Sequence, residues 1–148
     1  MAKVTKSIEI EASPEKVFAF INDVKKMNEL SKGFSEGEYT SKGPVEVGTT
    51  LHYIGKAGGS QAEFDMEITE FEKNKKISMR TIGTSKFKMQ GSHILEPTAK
   101  GTKLTNTMDY ELPYSILGKI VNKLKVSKDI EKRMEKELWD MKKALEAE

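Results

Sequence analysis

One histidine in this chain sits in an otherwise apolar row. His93, in KMQGSHILEP, shares its alternating parity with Met89 and Leu95, and imidazole is the side chain that exchanges protons near neutral pH. A second such row lies in LEPTAKGTKLTNTMDYELP, residues 95–113, where Leu104, Asn106, Met108, Tyr110 and Leu112 alternate with Lys103, Thr105, Thr107, Asp109 and Glu111. This is the period of a strand with one wet face, so an amide and a phenol stand on its apolar side. The same parity argument turns Tyr53 and Thr81 inward. Tyr53, Thr81, His93, Asn106 and Tyr110 then converge among Phe64, Met66, Met79, Met89 and Met108. A few polar groups among apolar walls are what orients a small ligand in a pocket. The competing reading is a filled core in which these groups bond one another or the backbone. No acid shares the face of His93 to orient it, which favours binding over proton transfer.

Other chemistries find little support. The chain has no cysteine, which excludes disulfides, thiolate metal sites and a cysteine nucleophile. His52 lies on the parity opposite Leu51 and Tyr53, no HExxH or acidic calcium loop is present, and neither a metal nor a cofactor is expected. GFSEG, residues 33–37, matches G-x-S-x-G formally, but a helix precedes it and a strand follows, the reverse of a nucleophile elbow. GKAGGS, residues 55–60, reads as a hairpin loop with no helix to receive a phosphate. Glu63, Asp65 and Glu67 line the outer parity of a strand as a solvated face.

Bulk composition narrows the partners. With 25 basic and 23 acidic side chains the formal charge is +2, and Arg80 and Arg133 are the only arginines, so neither field nor guanidinium supply favours nucleic acid. The N-terminus lacks an apolar run of secretory length, and the longest strongly apolar stretch is Val17 to Ile21. A cytoplasmic protein is expected. Oligomeric state is not fixed by any of these features.

The elements that must position the inward groups follow from local patterns. Residues 3–11 alternate as a strand, and Ser13-Pro14 then supplies a side-chain cap and a preset first helical residue. Val17, Phe18, Phe20, Ile21 and Val24 share a helical face that Met27 and Leu30 extend into a second short helix, ended by Gly33. Strands follow to Leu112, separated by turn-rich stretches at 42–44, 55–60, 72–76, 83–86 and 97–101. After Pro113 a stripe through Leu117, Ile120, Val121, Leu124, Ile130, Met134, Leu138, Met141 and Leu145 predicts a long closing helix, with Gly118 and Ser127 as places where it could break. Leu117 and Leu124 are expected to face the pocket. Strand, two short helices, six strands and a long helix make an α+β domain over residues 1–148. The lysines at 119, 123, 125, 128, 132 and 136 make the last helix basic enough for transient contact with an anionic membrane surface, although the interspersed acids favour a plain solvated face.

SIEIEASPEKVFAFI at 7–21, LEPTAKGTKLTNTMDYELP at 95–113 and RMEKELWDMKKALE at 133–146 resemble the START-like or SRPBCC superfamily, in particular its polyketide cyclase/dehydrase-type branch. The resemblance implies the helix-grip fold, a seven-stranded curved antiparallel sheet wrapped around the C-terminal helix, with a cavity between them. Members bind lipids, sterols, isoprenoids, plant hormones or polyketides, and a minority are enzymes. The expectation is therefore a binding or carrier protein for a small hydrophobic ligand. The alternative is a cyclase/dehydrase-like enzyme in which His93 or Tyr53 moves a proton.

Overall fold

Alternation and capping produce the elements as expected. The computed structural model describes residues 2–57, 60–85, 87–111 and 120–148. Strand β1 spans Ala2–Ile10, and Ser13 caps helix α1, Pro14–Ile21, by accepting a hydrogen bond from the Lys16 amide at 3.3 Å. Asp23 caps α2, Val24–Leu30, in the same way through Lys26. Strands β2, Ser35–Tyr39, β3, Thr50–Ala57, β4, Ser60–Glu72, β5, Lys76–Ile82, β6, Lys88–Pro97, and β7, Thr102–Glu111, precede helix α3, Ile120–Glu146.

All seven strands form one curved antiparallel sheet in the order β1-β7-β6-β5-β4-β3-β2. With the two short helices after β1 and the long C-terminal helix, this is the helix-grip fold. One boundary differs from the sequence expectation. Gly55, Lys56 and Ala57 pair with Ala62, Gln61 and Ser60, so the expected loop extends two strands. Helix α3 is continuous through Ser127, in keeping with the long closing helix expected; the other place where it could break, Gly118, lies outside the described residues.

The helix divides the interior in two. Leu138, Met141 and Leu145 are buried with Val4, Ile10 and Leu104 of β1 and β7 and with Val17, Phe18 and Phe20 of α1. Phe18 meets Phe71 edge-on, with ring centroids 5.3 Å apart. Polar contacts fix this end of the helix to β1: Lys142 Nζ donates to the Glu9 carbonyl at 2.8 Å, and the Glu11 amide donates to Glu146 at 2.9 Å. Lys6 bridges Glu131 and Glu135 at 3.0 and 2.8 Å. The preceding half of α3, with Val126, Ile130 and Met134, faces open space.

At the β6–β7 turn, Gly101 is required by proximity. A Cβ there would stand against the Ile10 carbonyl and 2.7 Å from the Ala12 nitrogen, where Thr102 Oγ1 also donates to the Ala12 carbonyl at 2.7 Å. Backbone cannot yield as a side-chain tip can. Gly101→Ala is expected to destabilise the fold by about 2–3 kcal/mol, read as a fall in Tm of roughly 5–10 °C. An unchanged Tm would contradict this packing of the turn on the end of β1.

Candidate functional site

Between the sheet, α2 and the first half of α3 lies a cavity of about 610 Å³, within the range of small-molecule pockets. Its floor is the inward parity of the strands. Tyr53, Phe64, Met66, Met79, Met89, His93, Asn106 and Met108 all line it, and Met27 of α2 with Val126, Ile130 and Met134 of α3 complete the apolar wall. Tyr53 stacks on Phe64 at 5.9 Å, and Phe64 meets Phe87 at 5.5 Å. This aromatic row needs Gly37 on β2, because a Cβ there would stand 2.5 Å from the Tyr53 ring.

Three residues expected at the pocket are not brought to it. Thr81 uses its hydroxyl on the Met89 amide and carbonyl, at 3.1 and 3.4 Å, closing the β5–β6 pairing where the backbone register ends at Arg80 and Gln90. Tyr110 points inward but is buried in the filled core, paired in register with Ala2 and Met89. Leu124 is 60% exposed. It lies two residues before the buried Val126, and two residues on an α-helix point about 200° apart, so the stripe that includes Val126 excludes it. Leu117 lies outside the described residues.

Polar groups are a minority of the cavity surface, and some of them lack protein partners. His93 sits opposite Asn106 on the paired strands β6 and β7. Its Nε2 has no hydrogen-bond partner among the described residues, and burial pushes its pKa down to about 4. The ring is therefore neutral at physiological pH. No charged group contributes to that shift, so nothing marks the imidazole as one half of a catalytic pair. Tyr53 is raised well above the usual phenol range, chiefly by burial and then by the charges of Tyr39 and Glu137. It remains protonated.

Sequence patterning missed the acid of the site. Glu137 lines the cavity from α3 with burial pushing its carboxyl up to about 7, a shift that the hydroxyl of Ser31, the cap residue after α2, only partly opposes. Ser31 Oγ donates to Glu137 Oε2 at 3.5 Å, the outer limit of a hydrogen bond. The side chain is partly accessible and lines the cavity. A signal did exist, since residue 137 falls seven after Ile130, three after Met134 and four before Met141, on the stripe where an apolar residue belongs. Arg133 occupies the same stripe one turn earlier, where its guanidinium lies 4.9 Å from the Phe34 ring centroid.

Asn28 was also unforeseen. Its amide donates to the Gly37 carbonyl and accepts from the Gly37 amide, both at 2.8 Å, so a side chain completes the outer edge of β2 as a neighbouring strand would. Tyr39 OH donates to the Asn22 carbonyl at 3.0 Å. These bonds hold α2 over the β2 side of the cavity. On the outer face of the sheet, His52 pairs with Asp65 at 2.8 Å and Glu63 at 3.4 Å, which raises its pKa. No group of three or more metal-ligating side chains forms among the described residues. No helix among them is long and apolar enough to cross a membrane.

A seven-stranded sheet gripping a C-terminal helix around a hollow is the architecture of START-like proteins. The chain belongs to the polyketide cyclase/dehydrase and lipid transport family, whose model matches residues 1–146. No curated protein matches it significantly in sequence. Among solved structures, a Thermus thermophilus protein is similar with a TM-score of 0.82 and 22% identity, over 99% of this chain and 98% of that one. The Zhui aromatase/cyclase of a Streptomyces species gives a TM-score of 0.77 at 13% identity, over 98% and 93% of the two chains. A START superfamily protein of Mycobacterium smegmatis gives 0.76 at 17%, over 97% and 98%. At these identities the likeness is one of fold.

Proposed function

We propose that this protein binds a small hydrophobic or amphipathic molecule, of lipid, isoprenoid or polyketide-like character, and holds it as a carrier between the sheet and the C-terminal helix. The observation that carries this reading is the cavity itself, about 610 Å³ enclosed largely by Phe, Met, Leu and Ile side chains. A space of that size with apolar walls gains free energy when apolar surface displaces water from it. The Tyr53, His93 and Asn106 side chains supply orientation. Tyr53 and His93 are uncharged near neutral pH, as Asn106 is throughout, which suits a ligand with an apolar body and isolated polar groups. The reading needs only the single domain spanning the chain, and neither a metal nor a nucleic-acid partner.

A second reading draws on one specific observation. A neutral His93 whose Nε2 has no protein partner among the described residues is able to take up a proton, in a fold shared with an aromatase/cyclase. That reading makes the protein an enzyme acting on a poly-ketone chain.

Native mass spectrometry of the protein purified from its own host tests the first reading. The expected result is an added mass that disappears on denaturation and identifies the ligand class. Protein that is repeatedly empty, and takes up no apolar ligand, overturns it. With a ligand in hand, His93→Ala separates the two. A carrier loses affinity by roughly ten- to a hundredfold, whereas an enzyme keeps its affinity and loses turnover by about a hundredfold or more.

A further inference from the structure

The carrier reading leaves the head group of the ligand open, and Glu137 narrows it. A carboxyl on the apolar stripe of a helix must be matched by something. Its natural intrahelical partner is Arg133, one turn earlier, yet that guanidinium stacks on Phe34 instead; Arg133 and Lys56 both line the cavity, but no cation lies within 4.0 Å of Glu137 among the described residues. From the C-cap of α2 the facing group is the Ser31 hydroxyl, at the limit of bonding to Oε2. From β3 it is the protonated phenol of Tyr53. Neither supplies a charge of opposite sign. Oε1 has no hydrogen-bond partner among the described residues, and Glu137 lines the cavity.

Resting on the carrier reading, we propose that Glu137 anchors the polar head of the ligand and that this head is a hydrogen-bond donor, an amine or a hydroxyl, rather than a carboxylate. A carboxylate head seated at Glu137 would place two anions together in a low-dielectric pocket, an arrangement that costs far more there than in water, and a carboxylate drawn to Arg133 or Lys56 elsewhere on the lining would leave Glu137 unmatched. An ammonium or hydroxyl would instead give the acceptor the partner that the protein withholds. The apolar body then runs from Glu137 and Tyr53 on the β3 side towards His93 on β6. Three strand spacings separate those positions, roughly 14 Å at about 4.8 Å per strand. Phe64, Met66, Met79 and Met89 floor that path. Burial holds the Glu137 carboxyl up at about 7, so at pH 8 it is mostly ionised and a cationic head is favoured most.

Decylamine, 1-decanol and decanoate, which share one chain and differ in the head, test this by calorimetry at pH 8. The expected order is decylamine, then decanol, with decanoate at least tenfold weaker than decanol. Glu137→Gln is expected to weaken decylamine at least tenfold and to bring decanoate within threefold of decanol. Equal affinity of all three for the wild-type protein, a comparison that needs no variant, would overturn the head-group assignment while leaving the carrier reading standing. So would an unaltered ranking in folded Glu137→Gln protein. Failure of every probe to bind would overturn the carrier reading itself.

Discussion

Glu137→Gln should stabilise the protein by up to about 3 kcal/mol at pH 8 and leave it nearly unchanged at pH 4. His93→Leu should do the reverse. The signs follow from the two shifts. Glu137 is raised from 4.5 to about 7 in the folded state, so the fold binds the proton more tightly than the unfolded chain does. Its burial cost is absent below the unfolded value of 4.5, grows through the interval, and is complete above about 7. His93 is lowered from 6.5 to about 4, so its cost is absent above 6.5 and complete below about 4. At about 1.4 kcal/mol per pH unit each displacement is worth about 3 kcal/mol. One cost rises as the other falls, and between pH 4 and 8 their sum is nearly constant. Wild-type protein should thus show little pH dependence from this pair. Each single variant should expose a slope of opposite sign, and the double variant should be flat again. Denaturant unfolding at pH 4, 6 and 8 measures this, and differences between variants cancel the titration of the other carboxylates. Stability curves for the single variants that run parallel to wild type would show that these two side chains are not enclosed as described.

Removal of residues 120–148 should abolish cooperative folding altogether. Helix α3 contributes six buried side chains, Val126, Ile130, Met134, Leu138, Met141 and Leu145. At about 1.5–3 kcal/mol for each large apolar side chain, their loss amounts to roughly 10–15 kcal/mol, as large as the whole stability of a typical domain. The sheet would also expose Leu104, Leu95, Ile77 and Leu51 to water on one continuous face, since all four are buried in the common core. The truncated chain is expected to aggregate or to melt without a transition. A monomer with a sharp thermal transition would mean that the sheet is stable without the helix it grips.

The sheet and its floor were legible because period-two alternation is a strong local signal. Once Met89, His93 and Leu95 share a parity, so must whatever lies across from them in register, and His93 meets Asn106 as the turn between their strands dictates. Ser13-Pro14 fixed the start of α1 for an equally local reason. Parity reports only which face a residue is on, however. It says nothing of where along the face the helix touches down, which is why parity alone puts Tyr110 at the pocket although it belongs to the filled core with residues of α3 and α1. Leu124 failed through phase, because a two-residue offset from Val126 reverses direction on a helix. Glu137 failed for a different reason. Charge outweighed position in a segment rich in Lys and Glu, although its spacing from Ile130, Met134 and Met141 marks an inward residue. Asn28 carried no signal, since its value lies in a partner, Gly37, that only the folded chain brings near.

The pairing of the first strand with the last has a consequence for the order of events during synthesis. From β2 onward each strand finds its neighbour as the next strand to emerge, whereas Ser7 meets Thr105 across 98 positions. At about 5–20 residues per second, β1 leaves the ribosome roughly 5–20 seconds before β7 exists to receive it. Throughout that interval the nascent chain carries an unmatched strand containing Val4, Ile8 and Ile10, and the α3 segment that covers it comes later still. Of the seven strands β1 is made first and covered last, and until then its unpaired edge can accept a strand from another copy of the chain.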